Sequence, residues 1–334
     1  LPLHRQHQRL EAAGIHLSRT TLSQLVRRSA DLLEPIAAAQ LEHVLTGRVL
    51  ALDETTMKAG RAGPGKMKRG YYWVAYGQDD EAAFTFSPSR GGRVVEALLG
   101  DFRGTLLTDG YQVYDDFARG RAGFTHAQCW AHTRRKFEEA KTADPDAAAE
   151  ALTLIGGLYH QETWIRESGL HGHEKIDKRQ EYVGPYVARF WDWVDKQLRR
   201  ADLEPKSRLT RALKYALDRR GPLEVFLTDP AVQIDTNHLE RVLRPVPMGR
   251  KNHLFCWTET GARELGVLHS LVATCRLQEV DPYTYLVDVM QRVDRHPARA
   301  VRELTPRLWK ERFATDPLRP DWDCDPSARG PATL

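Results

Sequence analysis

Apolar positions change their period several times along the chain, and each change marks a new element. Over residues 3–45 they recur at helical spacing: Gly14 interrupts a polar helical run, Ser18 sits as an N-cap, and Leu22, Leu25 and Val26 follow. Helix, short glycine-containing turn, helix fits a helix-turn-helix, and equally fits a plain helical hairpin packed on the next domain. From Arg48 the pattern becomes strand-like. Residues 49–52 (VLAL) form an apolar run ending at Asp53, and residues 70–76 (GYYWVAY) and 82–86 read as two further strands. The stretch between the first two, KAGRAGPGKMKRG at 58–70, carries five basic residues and no acid, and its Gly and Pro predict a loop. Residues 93–99 predict a helix, 104–108 (GTLLT) a fourth strand ending at Asp109, 111–119 a helix, and 124–129 a fifth strand. That strand leads into a basic helix around HTRRKFEEAK.

Residues 142–229 show helical spacing with no strand signal, most clearly at 147–155, 186–198 and 206–217. Helical pattern resumes at Asn237, and a long helix is expected over 259–277 with Leu265, Leu268, Val272 and Cys275 on one face. Beyond Pro317 the chain is Pro-rich and reads as a loose extension. The expected fold is therefore α/β: a mixed-sheet core beginning at residue 48, with residues 142–229 behaving as an inserted or appended helical module. A helical segment at 1–47 precedes it and a C-terminal extension at 296–334 follows.

Composition narrows the class without naming a chemistry. With 41% hydrophobic and 28% charged residues the chain is an ordinary globular protein rather than a disordered one. No apolar run approaches the roughly 20 residues of a membrane span, so no membrane partner is expected. Four cysteines without a CxxC pair point to a reducing, cytoplasmic setting over a disulfide scaffold. A net charge of +4 permits a nucleic-acid partner without demanding one. The first residue is Leu1 rather than Met, so an upstream piece is expected.

Three acids are candidates for chemistry. Asp53 and Asp109 stand at the expected C-terminal ends of the first and fourth strands, where side chains leave the packed layers. Were those strands parallel neighbours, the two carboxylates would share a crevice and repel unless a hard divalent cation relieved them. Taken singly, each is more often a turn or cap residue. Glu240 is the third. In IDTNHLERVLRPV, Leu239, Val242, Leu243 and Val246 form an apolar stripe, with Asn237, Glu240, Arg241 and Arg244 opposite. Asp235 and Thr236 can cap this helix and Pro245 ends it. From the helix alone, a solvated polar face explains Glu240 as well.

Seven segments change that balance: LALDETTM, RGYYWV, FSPSRGG, LLGDFRGTLLTDGYQVYD, CWAHTRRKFEEA, IDTNHLERVLRPVPMGRKN and LVATCRLQEVDPYTYLVDV. In this order, across about residues 3–290, the chain resembles the transposases of the insertion sequence 66 family. The resemblance implies an RNase H-like mixed-sheet core in two parts, 48–141 and 234–295, interrupted by an all-helical insertion at 142–233, with a DDE carboxylate triad falling on Asp53, Asp109 and Glu240 as catalytic and metal-binding residues. It implies Mg²⁺ or Mn²⁺, two ions, for cleavage at the 3′ ends of a mobile element and transfer of those ends into target DNA. Double-stranded DNA is then the partner, and pairing two element ends makes a homodimer reasonable. Other classes are a nuclease or resolvase that cuts without joining, and a non-catalytic DNA-binding regulator.

Cys129, Trp130 and His132 lie in CWAH, a C-x-x-H similar to pairs found in several DDE families, and are taken as active-site support, with Trp130 placed to stack a displaced base. A zinc reading joins Cys129 and His132 to His253 and Cys256, against a family pattern of apolar or small residues at the later two positions. Arg134, Arg135, Lys136, Arg244, Arg250 and Lys251 are expected to bind DNA, with the 58–70 stretch as a further basic candidate. The alternative is a solvated basic surface. Thr236, His238 and Leu239 depart from the more Asn- and Ala-rich run typical before the Glu. The family's upstream Cys-rich zinc-finger segment does not occur in this sequence.

Overall fold

The computed structural model describes residues 2–253 and 255–319. Two helices open the chain, α1 (Leu3–Ala12) and α2 (Arg19–Thr46). Strands β1 (Val49–Gly63), β2 (Lys66–Gly77) and β3 (Ala82–Ser87) follow, then α3 (Gly92–Leu99), β4 (Gly104–Thr108), α4 (Gln112–Ala118), β5 (Phe124–Gln128) and α5 (Trp130–Ala140). The next stretch is helical, with α6 (Pro145–Glu167), α7 (Gly172–Lys178), α8 (Gly184–Leu198), α9 (Arg208–Leu217) and α10 (Arg220–Glu224). The described chain closes with α11 (Asn237–Leu243), α12 (Pro245–His253), α13 (Glu259–Leu277), α14 (Pro282–Arg292) and α15 (Pro306–Arg312). This is a mixed α/β protein whose five strands form one sheet in the order β3-β2-β1-β4-β5. Two compact units divide the chain, residues 1–47, 53–90 and 242–334 in one, and residues 48–52 and 91–241 in the other.

In the first unit β2 and β3 pair antiparallel, with Tyr72 opposite Phe86 and Val74 opposite Phe84. Tyr72, Trp73, Val74 and Ala75 are all fully buried, so this strand is covered on both faces, as its unbroken aromatic and β-branched run requires. Strand β3 is a sheet edge, and α13 lies along it. Ser270 Oγ accepts from Phe84 N at 2.8 Å and Thr274 Oγ1 accepts from Ala82 N at 3.0 Å. Gln40 of α2 donates to Ala82 O at 2.7 Å and to Thr274 Oγ1 at 2.9 Å. Side chains thus satisfy backbone groups that an open edge would leave bare. The close face of α13 is consequently Ala262, Gly266, Ser270 and Thr274, all buried, whereas Leu265, Leu268 and Val272 of the expected face are only half-buried. Small residues win because the helix touches strand backbone: a Cβ on Gly266 would lie 3.0 Å from Phe84 O. Leu33, Ile36 and Ala37 of α2 pack in one cluster with Leu271, Cys275, Tyr285, Leu304 and Trp309.

The 58–70 stretch is not the expected loop. Strands β1 and β2 continue through it and meet at Pro64 and Gly65, where Gly65 takes φ +66°. A two-residue connection needs its glycine only there, and Lys58, Arg61, Lys66, Lys68 and Arg69 sit exposed along the two strands.

In the second unit Val49, Leu50 and Ala51 run parallel to Thr105, Leu106 and Leu107. Strand β4 runs parallel to β5, with Thr108 opposite Gln128. Residues 142–229 hold helices and no strand, as expected. Their core is aromatic: Trp130, Phe137, Phe190 and Trp191 are buried together, with ring centroids 5.0–5.8 Å apart for the Phe190 pairs with Trp130, Phe137 and Trp191. Arg179, fully buried, pairs with Glu162 and donates to Phe226 O at 2.6 Å and Asp229 O at 3.0 Å. Asp229 in turn accepts both ends of the Arg48 guanidinium, at 2.5 and 2.8 Å. This chain of charge-assisted bonds ties the exit of the helical stretch to the start of β1.

Replacing Ser270 with alanine removes the acceptor for Phe84 N at a buried position. We expect Ser270→Ala to cost about 1–3 kcal/mol in urea unfolding; a wild-type unfolding midpoint contradicts the edge-covering role of α13.

Candidate active site

Strand ends in the second unit assemble the site. Asp109 follows the last residue of β4, and its Oδ1 accepts from Tyr111 N at 2.9 Å, which turns the chain. Gly110 comes next, where a Cβ would fall 2.2 Å from the Tyr215 hydroxyl, so any other residue there would have to displace the Tyr215 side chain. Cys129 follows β5, and its N donates to Thr108 O at 3.1 Å. The motif CWAH then grips the approach to α11. Trp130 N donates to Ile234 O at 3.1 Å, and both N and Oγ1 of Thr236 donate to Cys129 Sγ at 3.3 Å. Burial pushes the Cys129 thiol up to about 11, against the lowering effect of the Thr236 bonds. The sulfur is therefore a protonated, buried acceptor at neutral pH.

Trp130 has a different role from the one expected. It is fully buried, its Nε1 donates to Leu223 O at 2.8 Å, and Phe190 packs on its ring. No face is open to a base, because the indole fills the aromatic core.

Helix α11 rises from this anchored segment. Asp235 Oδ1 accepts from Asn237 N at 2.9 Å, and Glu240 N donates to Thr236 O at 2.9 Å, which makes the expected helix start. Leu239, Val242, Leu243 and Val246 are buried, and Asn237, Arg241 and Arg244 are exposed, as the stripe predicts. Glu240 is partly exposed, with Oε1 3.9 Å from His132 Nε2 and 3.7 Å from Arg135 Nη2. His132 is held below the ordinary imidazole value, first by burial and further by the charges of Arg135 and Lys136. The charges of Asp109 and Glu240 pull the other way. A neutral ring thus stands in the field of both carboxylates.

Behind β4 lies a polar set that sequence reasoning missed. His126 Nε2 is 2.8 Å from Thr108 Oγ1 and its Nδ1 is 3.2 Å from Asp115 Oδ1, which also accepts from Gln128 Nε2 at 2.9 Å. Arg219 reaches Asp115 at 3.9 Å and donates to Gly110 O at 3.2 Å. Burial alone raises the Asp115 carboxyl, but the hydrogen bond and charge of His126 and the charge of Arg219 outweigh it and hold the group below its usual range. The available signal was the polar content of FTHAQ, a strand where apolar residues were due.

The remaining sequence-derived residues fall elsewhere. Asp53 is not at a strand end, because β1 continues to Gly63; its Oδ1 accepts from Glu54 N at 2.7 Å. Neighbouring Glu54 is buried and paired with Arg90 of FSPSRGG. Arg134 pairs with Glu138 at 3.0 Å, and Lys136 lies 3.8 Å from Glu139. Arg244 and Lys251 are exposed, and Arg250, on α12, bonds Thr56 Oγ1. The side chain of His253 lies outside the described residues, and with it the four-ligand zinc set. Cys256 N donates to Lys58 O at 2.8 Å. Among the described residues, the three donors that come within 4.8 Å of one another are His43, Asp79 and Glu81. Arg307 already lies 3.4 Å from Glu81 and Arg302 2.5 Å from His43 Nδ1, so guanidinium groups supply positive charge there. No helix among the described residues is long and apolar enough to cross a membrane.

Comparison with known proteins assigns the lineage. Residues 1–264 match the model described as "Transposase IS66 family", and residues 270–307 match the "IS66 C-terminal element". The chain belongs to that family. It is 33% identical over 327 residues to the uncharacterized protein y4qI of Sinorhizobium fredii (strain NBRC 101917 / NGR234), covering 93% of this chain and 60% of that protein. The uncharacterized protein y4hP of the same strain is 31% identical over 338 residues, covering 94% and 60%. The chain therefore spans about 60% of the length of these relatives.

Two outcomes follow from the anchoring and from Asp115. Cys129→Ala, which strips Thr236 of its acceptor in a buried place, should lose about 1–3 kcal/mol in urea unfolding, and Cys129→Ser should lose less; equal stability of Ala variant and wild type contradicts the anchor. Because the folded Asp115 value is depressed, its stabilisation is complete above the unfolded value of about 3.9 and fades as pH falls through the folded one. Thermal melts should show a flatter decline below about pH 4 in Asp115→Asn than in wild type, and parallel declines contradict it.

Proposed function

We propose that this IS66-family chain is a DNA transposase with an RNase H-like core, in which Asp53, Asp109 and Glu240 form a DDE triad for 3′-end cleavage and strand transfer. The observation that carries the reading is the CWAH grip. It fastens the start of α11 to the end of β5, so that Glu240 and Asp109 both act on one neutral imidazole, His132. Register supports the third member: Asp53 stands two residues beyond Ala51, and Asp109 two residues beyond Leu107, the partner of Ala51. In this reading residues 48–141 and 234–295 make up the core, and 142–233 interrupt it.

The donor chemistry fits hard divalent cations, since three carboxylates offer oxygen ligands. Asp53, Asp109 and Glu240 would hold Mg²⁺ or Mn²⁺, which would supply charge neutralisation at a phosphodiester and its leaving oxygen. His132, 3.9 Å from Glu240 and held below the ordinary imidazole value, adds no fixed positive charge beside that carboxylate. Arg135, 3.7 Å from Glu240, can exchange that contact for a DNA phosphate once the carboxylate's charge is otherwise balanced. Arg134, Lys136, Arg244, Arg250 and Lys251 add phosphate contacts on double-stranded element ends and target. The two steps are one displacement with different nucleophiles: water bonds to the phosphorus at the element end, breaking its P–O3′ bond to leave a 3′-OH and a 5′-phosphate, and that 3′-OH then bonds to a target phosphorus, releasing the target's own 3′-OH. Pairing two ends calls for two copies of the chain.

Strand transfer with Mg²⁺ or Mn²⁺ on element-end DNA tests this reading. Asp53→Asn, Asp109→Asn and Glu240→Gln should each lower joined product by roughly a hundredfold or more; wild-type yield from any one of them removes that residue from the triad. Nicked donor without covalent joining to target identifies a nuclease instead.

A further inference from the structure

The helical stretch between α5 and α11 carries a feature that the catalytic reading leaves unused. Helices α5 and α9 enclose an open groove of about 530 Å³ lined by Lys136, Glu139, Arg208, Arg211, Ala212 and Tyr215. Arg208, Arg211 and Tyr215 follow at i, i+3 and i+7, so they form one ridge along α9. The helix's other side, with Leu209, Leu213 and Ala216, is buried.

The arginines of this ridge are held without being neutralised. Arg208 Nη1 donates to Thr142 Oγ1 at 3.1 Å, and Arg211 donates through Nε and Nη2 to Lys206 O at 3.2 and 2.9 Å. Neither has a carboxylate partner among the described residues. Arg200 and Arg220, by contrast, are paired with Asp144 and Glu224. Lys136 adds a third cation, 3.8 Å from Glu139, the single acid in the lining.

The inner end of the groove abuts the catalytic loop. Tyr215 presses its hydroxyl on Gly110, the residue after Asp109, and the Arg219 guanidinium stacks 4.0 Å over the Tyr215 ring while donating to Gly110 O. From Arg208 to Tyr215 the ridge spans about 10 Å of helix. That length matches roughly three phosphates at 3.4 Å of duplex axis per nucleotide.

We propose that the α5–α9 groove is a binding site for the DNA backbone, in which Arg208, Arg211 and Lys136 hold phosphates of the strand that reaches Asp109. This rests on the reading of the chain as a transposase, and gives the helical stretch a direct part in holding substrate.

The test is binding of the full chain to a fluorescein-labelled DNA duplex, followed by anisotropy over a range of salt concentrations in EDTA. Arg208→Ala/Arg211→Ala should bind more weakly, and its plot of log affinity against log salt should be shallower by about 0.9 for each phosphate that is no longer neutralised. Arg208→Lys/Arg211→Lys should recover most of the slope. Arg189→Ala, which removes an exposed arginine of α8, should bind as wild type does. Circular dichroism melts confirm that each variant is folded. Wild-type affinity and slope in the folded double alanine variant overturn the proposal, as does a loss no larger than that of Arg189→Ala. Failure of the catalytic reading looks different: the wild-type chain binds with the steep slope yet never joins donor ends to target.

Discussion

The contact on which the site depends is the buried sulfur of Cys129 accepting from the backbone and hydroxyl of Thr236. More than a hundred residues separate the two in sequence, and most of the intervening chain is helix. Ordering the backbone costs about 1–2 kcal/mol per residue, so a return from so long an excursion needs a specific catch. Cys129 Sγ, together with the Trp130 N to Ile234 O bond, provides it at the point where α11 begins. A buried thiol suits the task because its raised ionisation keeps it neutral, and a neutral acceptor avoids the desolvation cost of burying a charge.

Around that catch, each layer of the second unit has a stated cause. Parallel strands β4 and β5 end side by side and deliver Asp109 and CWAH to one edge. The set Thr108, His126, Asp115, Gln128 and Arg219 braces the turn from behind, and Arg219 joins the brace to Gly110. Most polar atoms of this set are paired with one another, while Gln128 Oε1 and Arg219 Nε are buried without a hydrogen-bond partner. The aromatic core holding Trp130 gives α5 a fixed direction, and thereby sets where His132, Arg135 and Lys136 project. In the other unit, hydroxyls of α13 and the amide of Gln40 take the place of a sixth strand along β3.

Much of this is legible in the amino-acid order, and the failures have particular reasons. The helix of Glu240 is legible because of its apolar stripe, with the capping residues Asp235 and Thr236 marking its start, whereas Glu240 itself stands out from a solvated polar face only through the family resemblance. The five strands and the strandless stretch after residue 142 are legible from period alone. Asp53 reads wrongly as a strand end because residues 58–70 combine turn residues with charges, and strand pairing, a non-local interaction, overrides that composition. The close face of α13 is misjudged from sequence because hydrophobicity points to Leu265 and Leu268, whereas contact with strand backbone selects small residues. Trp130 invites a stacking role because an aromatic beside basic residues reads alike whether it faces solvent or core. Arg208 and Arg211 are invisible as a site, since nothing local to α9 says that α5 lies across from it.

The central claim is that three carboxylates share a divalent-cation site. A crystal structure of the full chain with Mn²⁺, located by its anomalous signal, addresses it most directly. The triad predicts one or two ions with an oxygen of Asp53, Asp109 and Glu240 at about 2.1 Å. Mn²⁺ bound only at His43, Asp79 and Glu81, or carboxylates of the triad that share no ion, would contradict it.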